Sequence, residues 1–401
     1  MAEEKTKGKK KIFGDFVYTF LANVVMNGVV QLIIYPLITK YMGEFLTGEI
    51  LYFVGIIYIF PQAVGSAISN SRLVIHRTHD TTNGDYNGML MMFSTISALI
   101  CGIFSVCDSK EWYFILLYIV FAFLYALRMY AQVEYRLKLN FSGYFKYYLI
   151  ISIGYLIGFG IFWLVHFWLI IFLVGEFLAV AYAFFRLDIF KKDSRINPRK
   201  LIYGNTILII TSTLIRDGVN QYDKVILKQI IGNEMVTQYS VVTMVSKVVQ
   251  LFVAPVNTLI LSYLTKKGYN LTRKVFRKYV ILGLGAGVAA YGFSLLGTWI
   301  YLKLFYLQLY DAVIQYMFLA NIGVIASFIA SLFTAIILSQ GHTKTYTILQ
   351  AVWGVIFIIV GYILTSYYGV WGMIFTTLST NVPKIIAAII IGYKSIKTSD
   401  A

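Results

Sequence analysis

The sequence predicts an all-α polytopic membrane protein of about twelve transmembrane helices. Three observations predict it. The hydrophobic fraction is 59% and the charged fraction 13% over 401 residues, too little polar surface for a soluble domain of that size. Apolar runs of about 20 residues, the length that crosses a bilayer core, recur along the whole chain. Lysine and arginine gather in alternate linkers between those runs, as membrane topology requires. No polar stretch is long enough to fold as a separate domain.

The runs read as spans over 16–38, 50–70, 88–106, 113–131, 146–164, 167–185, 203–226, 237–262, 279–301, 312–338, 345–366 and 370–393. They are too long for buried strands and lack strict alternation, which excludes a β-barrel. Lys5, Lys7, Lys9, Lys10 and Lys11 precede the first run like a signal-peptide n-region. That run is too long for a cleaved signal and no small-residue cleavage site follows it, so it reads as an uncleaved first span.

Of the 34 Lys and Arg, 26 fall on one side of the membrane. They include Arg72 and Arg77, then Arg128, Arg136, Lys138 and Lys146 assigned to the linker after span 4. Six more lie at 186–200 and six at 266–278. The opposite side holds Lys40, Lys110 and Lys303, with Arg216, Lys224 and Lys228 in or near span 7. This bias places both termini in the cytoplasm and makes the number of spans even. It also explains the net charge of +16 as topology rather than nucleic-acid binding.

The basic cytoplasmic linker at 191–202 separates an N-terminal bundle, 1–190, from a C-terminal one, 203–401, with six helices each. A weak repeat supports the division. Ile38–Leu73, with Gly43-Glu44 ahead of span 2, aligns with Leu227–Ser262, with Gly232-Asn233 ahead of span 8. An even number of spans per half relates the bundles by a pseudo-two-fold axis along the membrane normal.

Ionisable groups within spans are costly and mark function by default. Span 7 is the least apolar and carries Arg216, Asp217, Asn220, Asp223 and Lys224. Arg216, Asn220 and Asp223 recur at steps that put them on one helix face. Asp223 and Lys224 equally suit a helix end in water. Lys247, about 11 residues into span 8, lies near mid-membrane and shares a face with Gln250. Lys384 in span 12 is close enough to the cytoplasm to snorkel. Glu176 in span 6 reads as a lone carboxylate that titrates, pairs with one of these cations, or stays protonated. Asn23, Asn27 and Gln31 form a four-residue stripe on span 1, and Gln62, Ser66 and Asn70 one on span 2. Such stripes serve either interhelical hydrogen bonds or the wall of a polar cavity.

Cys101 and Cys107 make no metal site, and the four histidines have no metal-ligand spacing. No cofactor is expected. No Walker-type G-x-x-x-x-G-K-[ST], G-x-S-x-G, H-E-x-x-H or paired CxxC occurs, so the chain does not itself hydrolyse ATP by that route. No potassium-channel filter is present.

The segment Asn220-Gln221-Tyr222-Asp223-Lys224-Val225-Ile226-Leu227, then Ile231-Gly232-Asn233-Glu234 and Tyr239-Ser240, resembles spans 7 and 8 of bacterial polysaccharide repeat-unit exporters. These are the Wzx-type flippases of the multidrug/oligosaccharidyl-lipid/polysaccharide (MOP) superfamily. The resemblance is motif-level at 220–240 and extends to the whole chain in layout. It implies a protein of the bacterial cytoplasmic (inner) membrane that moves an undecaprenyl-pyrophosphate-linked oligosaccharide to the outer leaflet. Alternating access would run around a cationic central cavity. Arg216, Lys247 and Lys384 would meet the pyrophosphate, while Asn220, Gln250, Asn27, Gln31 and Gln62 would face the sugars. The resemblance also implies ion or proton coupling, with Glu176, Asp217 and Asp223 as candidates. Partners would be the lipid-linked oligosaccharide, membrane lipids and other glycan-assembly proteins.

A multidrug or cation antiporter of the same superfamily is the competing reading. It calls for an acidic, aromatic cavity, whereas the intramembrane charge here leans basic. A membrane glycan polymerase or ligase would need a large outer loop, and the longest outer linkers are about ten residues. A scaffold in a glycan-assembly complex would leave the polar stripes without a use.

Overall fold

The computed structural model describes residues 14, 17–76, 79–250, 272–339 and 343–395. The N-terminal lysines, Arg77, Lys266, Lys267, His342 and the part of predicted span 8 beyond Gln250 lie outside the described residues. Among the described residues every regular element is a helix. We label them α1 (17–28), α2 (Tyr35–Ile75), α3 (Asn83–Cys107), α4 (Trp112–Leu137), α5 (Phe141–Val165), α6 (Leu169–Arg186), α7 (Arg199–Ile230), α8 (Asn233–Gln250), α9 (Arg273–Phe305), α10 (Met317–Ser339), α11 (Thr343–Tyr368) and α12 (Val370–Ser395).

Predicted spans 1 and 2 are one helical run, Val17–Ile75. At 1.5 Å per residue a straight run of that length would reach about 90 Å, three times a bilayer core. It turns instead at Gly43, whose φ of 88° and ψ of 172° suit glycine alone. A single-residue turn lets helix resume on both sides, so the predicted linker at 39–49 is helical. Wider π-type turns over Val29–Ile34 join α1 to α2. Nine of the described helices are long and apolar enough to cross a membrane. The first of these holds both predicted spans. α7 and α8 fall outside the nine because their polar and charged residues break the apolar run. The chain is a multi-pass membrane protein.

The helices pack into two compact units, Met1–Ile38 with Phe53–Gln221, and Thr39–Tyr52 with Tyr222–Ala401. In the first, α5 packs on α6, α3 on α4, and α4 on α6. Glycine allows the tightest approach: a Cβ on Gly154 would sit 2.6 Å from the Gly175 Cα. Small residues permit this contact where no hydrophobic force drives helices together. Aromatic rings fill the rest. Phe53 meets Tyr118 at 5.1 Å between centroids, and the Tyr118 hydroxyl donates to the Phe53 carbonyl at 2.8 Å.

One end of this unit is tied by polar contacts. Asp85, in a capping box with Thr82 at the start of α3, accepts from the Ile196 and Asn197 amides at 3.0 and 2.9 Å. Glu134 accepts from the Ile189 amide at 2.9 Å. The segment after α6 is therefore docked on this unit at several points. Lys191, then Lys138, hold the Asp188 carboxyl below its ordinary pKa. A depressed carboxylate keeps its links above the ordinary value and loses them as pH falls through the lowered one.

In the second unit, α10 packs on α12, α11 on α12, and α9 on α8 and α10. Its core joins Phe276, Phe333, Ile336, Ile337, Leu349 and Ala388. Asn321 is fully buried; it donates to the Met317 carbonyl at 2.7 Å and is hydrogen-bonded to Ser246 of α8. The turn at Gly43 packs on the start of α8, where Gly232 also has positive φ, 126°. Thr237 donates to the Glu44 carbonyl at 2.7 Å, and Gln238 to its carboxylate at 2.9 Å.

Candidate functional site

In the first unit, α1 carries Asn27, the turns after it Gln31, and α2 Gln62. The Asn23 and Asn27 amides donate to the carbonyls of Thr19 and Asn23, one turn back on their own helix. Those donors serve α1 rather than a neighbouring helix. Gln31 lies in the π-type turns between α1 and α2. Gln62 accepts from the Tyr125 hydroxyl at 3.1 Å.

Glu176 is not a lone carboxylate. Its Oε2 accepts from Arg128 Nε at 2.6 Å, with 1% and 0% of the two side chains exposed. Its Oε1 accepts from the Tyr155 hydroxyl at 2.5 Å, and the Arg128 guanidinium lies 4.3 Å from the Tyr125 ring centroid. Arg128 therefore belongs to the interior of α4 and not to the linker after it. The two charges satisfy each other, which is how ionised groups persist away from water. A lone basic residue and a lone acidic one in neighbouring apolar spans were the signal for this pair. The linker assignment of Arg128 concealed it.

Arg216 and Asp217 are adjacent on α7, and Arg216 Nε donates to Asp217 Oδ1 at 2.9 Å. Their environments differ sharply. The Arg216 side chain is 63% exposed and that of Asp217 5%. Asn220, one turn further, is also exposed.

The second unit holds Asp223, Lys247, Gln250 and Lys384. Lys247 Nζ donates to Asp223 Oδ2 at 2.5 Å, linking α8 to the end of α7. Asp223 is buried and Lys247 partly open. Although Asp223 follows Arg216 at helical spacing, it points into protein while Arg216 is open. Gln250 donates to the Val324 carbonyl at 3.0 Å. Lys384 Nζ donates to Gln350 Oε1 at 2.7 Å and makes no ion pair among the described residues. Gln350 was not among the residues the sequence singled out, since one amide near the end of an apolar span carries no signal.

Each unit thus carries cations and amides: Arg216 and Asn220 on α7 in the first, and Lys247 paired with Asp223 and Lys384 with Gln350 in the second. Among the described residues no group of three His, Cys, Asp or Glu is placed to hold a metal ion. Cys101 is buried, Cys107 exposed, and both are free thiols.

In sequence the chain matches no family and no curated protein. In structure it is similar to a multidrug resistance MATE family transporter of the MOP superfamily in its inward-facing conformation. The TM-score is 0.62 at 13% identity, over 96% of each chain. It is similar to the Vibrio cholerae MATE transporter VcmN in the bent form, TM-score 0.60 at 11% identity over 97% of each chain. A MOP superfamily transporter from Pyrococcus furiosus, described by a reverse polarity of its binding pocket that suggests a different function, matches with TM-score 0.54 and 11% identity. That match covers 96% of this chain and 92% of the other. The chain has the fold of these transporters, about twelve helices in two bundles.

Proposed function

We propose that the protein is a flippase that carries a lipid-linked oligosaccharide, bearing a pyrophosphate, from the cytoplasmic to the outer leaflet by alternating access. The observation that carries this reading is Arg216. Its guanidinium is open although it lies about 25 Å along α7 from the helix start and follows the apolar pair Leu214-Ile215. A charge at such depth cannot face hydrocarbon without large cost, so it lines a wet space. A planar guanidinium suits phosphate oxygens in pairs, and lysines add point charges. The second unit has its own cations, Lys247 partly open beside Asp223 and Lys384 bonded to Gln350. Asn220 offers an exposed amide to sugar hydroxyls.

The balance of intramembrane charge is the reason to favour an anionic cargo. The Pyrococcus furiosus neighbour, whose binding pocket is described as reversed in polarity, supports the view that this fold carries pockets of different charge. The alternative is a multidrug or cation antiporter, which the multidrug resistance neighbours of the same fold favour. Ion or proton coupling would fall to Asp217 and Asp223, each buried beside a cation. Glu176 is the weaker candidate because Arg128 and Tyr155 occupy both its oxygens.

Complementation of a bacterial strain lacking its repeat-unit flippase tests this reading, using the native glycan cluster. Wild type should restore surface glycan. Arg216→Ala and Lys247→Ala should abolish it without changing membrane abundance. Full restoration by both variants would remove these cations from the mechanism. Extrusion of cationic dyes with no effect on glycan would move the reading to the antiporter.

A further inference from the structure

The first two turns of α9 carry Arg273, Lys274, Arg277 and Lys278 and no acidic residue. Cations at a helix N-terminus oppose the macrodipole and destabilise it. The sequence places them there nonetheless, and two of them meet one ring. Arg273 and Arg277 lie 4.9 and 5.9 Å from the centroid of one ring, that of Tyr393 on α12. Arg277 Nη2 also donates to the Tyr393 hydroxyl at 3.4 Å. Lys394 follows on the same end of α12. Among the described residues none of Arg273, Arg277 and Lys394 makes an ion pair. Two like charges are therefore gathered on one tyrosine with no carboxylate among the described residues paired to them.

A groove between α9 and α12 runs from this cluster and is walled by Phe276, Val280, Ile281, Ile389 and Ile390. Ile281 is 70% and Ile390 48% exposed. The groove is apolar along its length and cationic at its mouth. A soluble anion would use the mouth and leave the groove empty. A neutral acyl chain would use the groove and leave the cations bare. A zwitterionic head group brings its own ammonium against the arginines.

We propose that the α9–α12 groove binds a phospholipid with an anionic head group, its phosphate on Arg273 and Arg277 and one acyl chain along the groove. The phosphate would also accept from free amides of the first turn of α9 and so relieve the unfavourable cation–dipole contact. Basic pockets between spanning helices on the cytoplasmic side suit this class of lipid. The proposal is independent of what the chain transports.

Native mass spectrometry of the full chain, stripped of lipid in detergent, tests it. The protein is titrated with phosphatidylglycerol or with phosphatidylcholine of the same acyl chains. Wild type should bind the first phosphatidylglycerol about thirtyfold more tightly than phosphatidylcholine, as two basic contacts would give. Arg273→Ala/Arg277→Ala should lose that preference, while Lys192→Ala/Lys200→Ala in the other basic linker should keep it. Val280→Trp, which fills the groove without touching a charge, should weaken both lipids and decides the matter if the arginine variant does not fold. Equal binding of the two lipids by wild type, or unchanged phosphatidylglycerol binding by Val280→Trp, would overturn the proposal. Full displacement by inorganic phosphate would reduce the site to an anion site. Stronger binding of a polyprenyl phosphate would give the groove to a different lipid.

Discussion

Arg128 and Glu176 face each other across α4 and α6 with almost no water access, so removing one charge strands the other. Glu176→Ala should cost about 3–5 kcal/mol, read as a lower unfolding temperature in detergent. The paired change Arg128→Met/Glu176→Met should recover most of that loss. Equal losses in the single and double variants would show that packing rather than charge sets the cost. Arg216 should behave in the opposite way. Its side chain is largely open, so Arg216→Lys, which keeps a cation beside the buried Asp217 carboxylate, should leave thermal stability within about 0.5 kcal/mol of wild type while export falls because the planar fork is gone. The sequence marked Glu176 and Arg216 as costly in a membrane but did not distinguish them. Partner and exposure decide the role, and both are tertiary properties. Asp223 teaches the same lesson: helical spacing put it with Arg216, whereas its carboxylate is buried against Lys247.

At the scale of elements, turns and caps were more legible than helix ends. Gly43 and Gly232 stood out as glycines ahead of amphipathic runs, and both take positive φ. Gly43→Ala should therefore destabilise by about 1–3 kcal/mol through backbone strain alone, since nothing lies within 4 Å of a Cβ there. An unchanged melting temperature would contradict that. The π-type turns at Val29–Ile34 were not legible, because a one-residue wider turn leaves no trace in an apolar pattern. The segment after α6 was read as a basic linker, and its composition concealed how firmly it is held. Asp85 accepts hydrogen bonds from the Ile196 and Asn197 amides and from the Asn197 side chain. Asp85→Ala should release this segment and speed trypsin cleavage at Lys191, Lys192 or Arg195 several-fold over wild type. Unchanged cleavage would mean that Glu134 and the surrounding contacts suffice.

Over the whole molecule, hydropathy made the fold class legible, since hydrocarbon admits few backbone solutions. It was least informative at α7 and α8, where polar residues interrupt the apolar signal and where the candidate cargo contacts concentrate. That coincidence is physical: helices that line a wet path cannot be as apolar as helices that face lipid. The cargo itself is a separate matter, because one fold can carry pockets of either charge. The central claim is that intramembrane cations, Arg216 and Lys247 first among them, serve the export of an anionic, lipid-linked glycan. It is tested most directly by reconstituting the purified chain into vesicles whose inner leaflet carries the lipid-linked oligosaccharide. The outer leaflet is then probed with a membrane-impermeant lectin or glycosidase. The account predicts that wild type exposes the glycan and that Arg216→Ala and Lys247→Ala do not. Equal exposure in vesicles with wild type, with either variant and with no protein would contradict it.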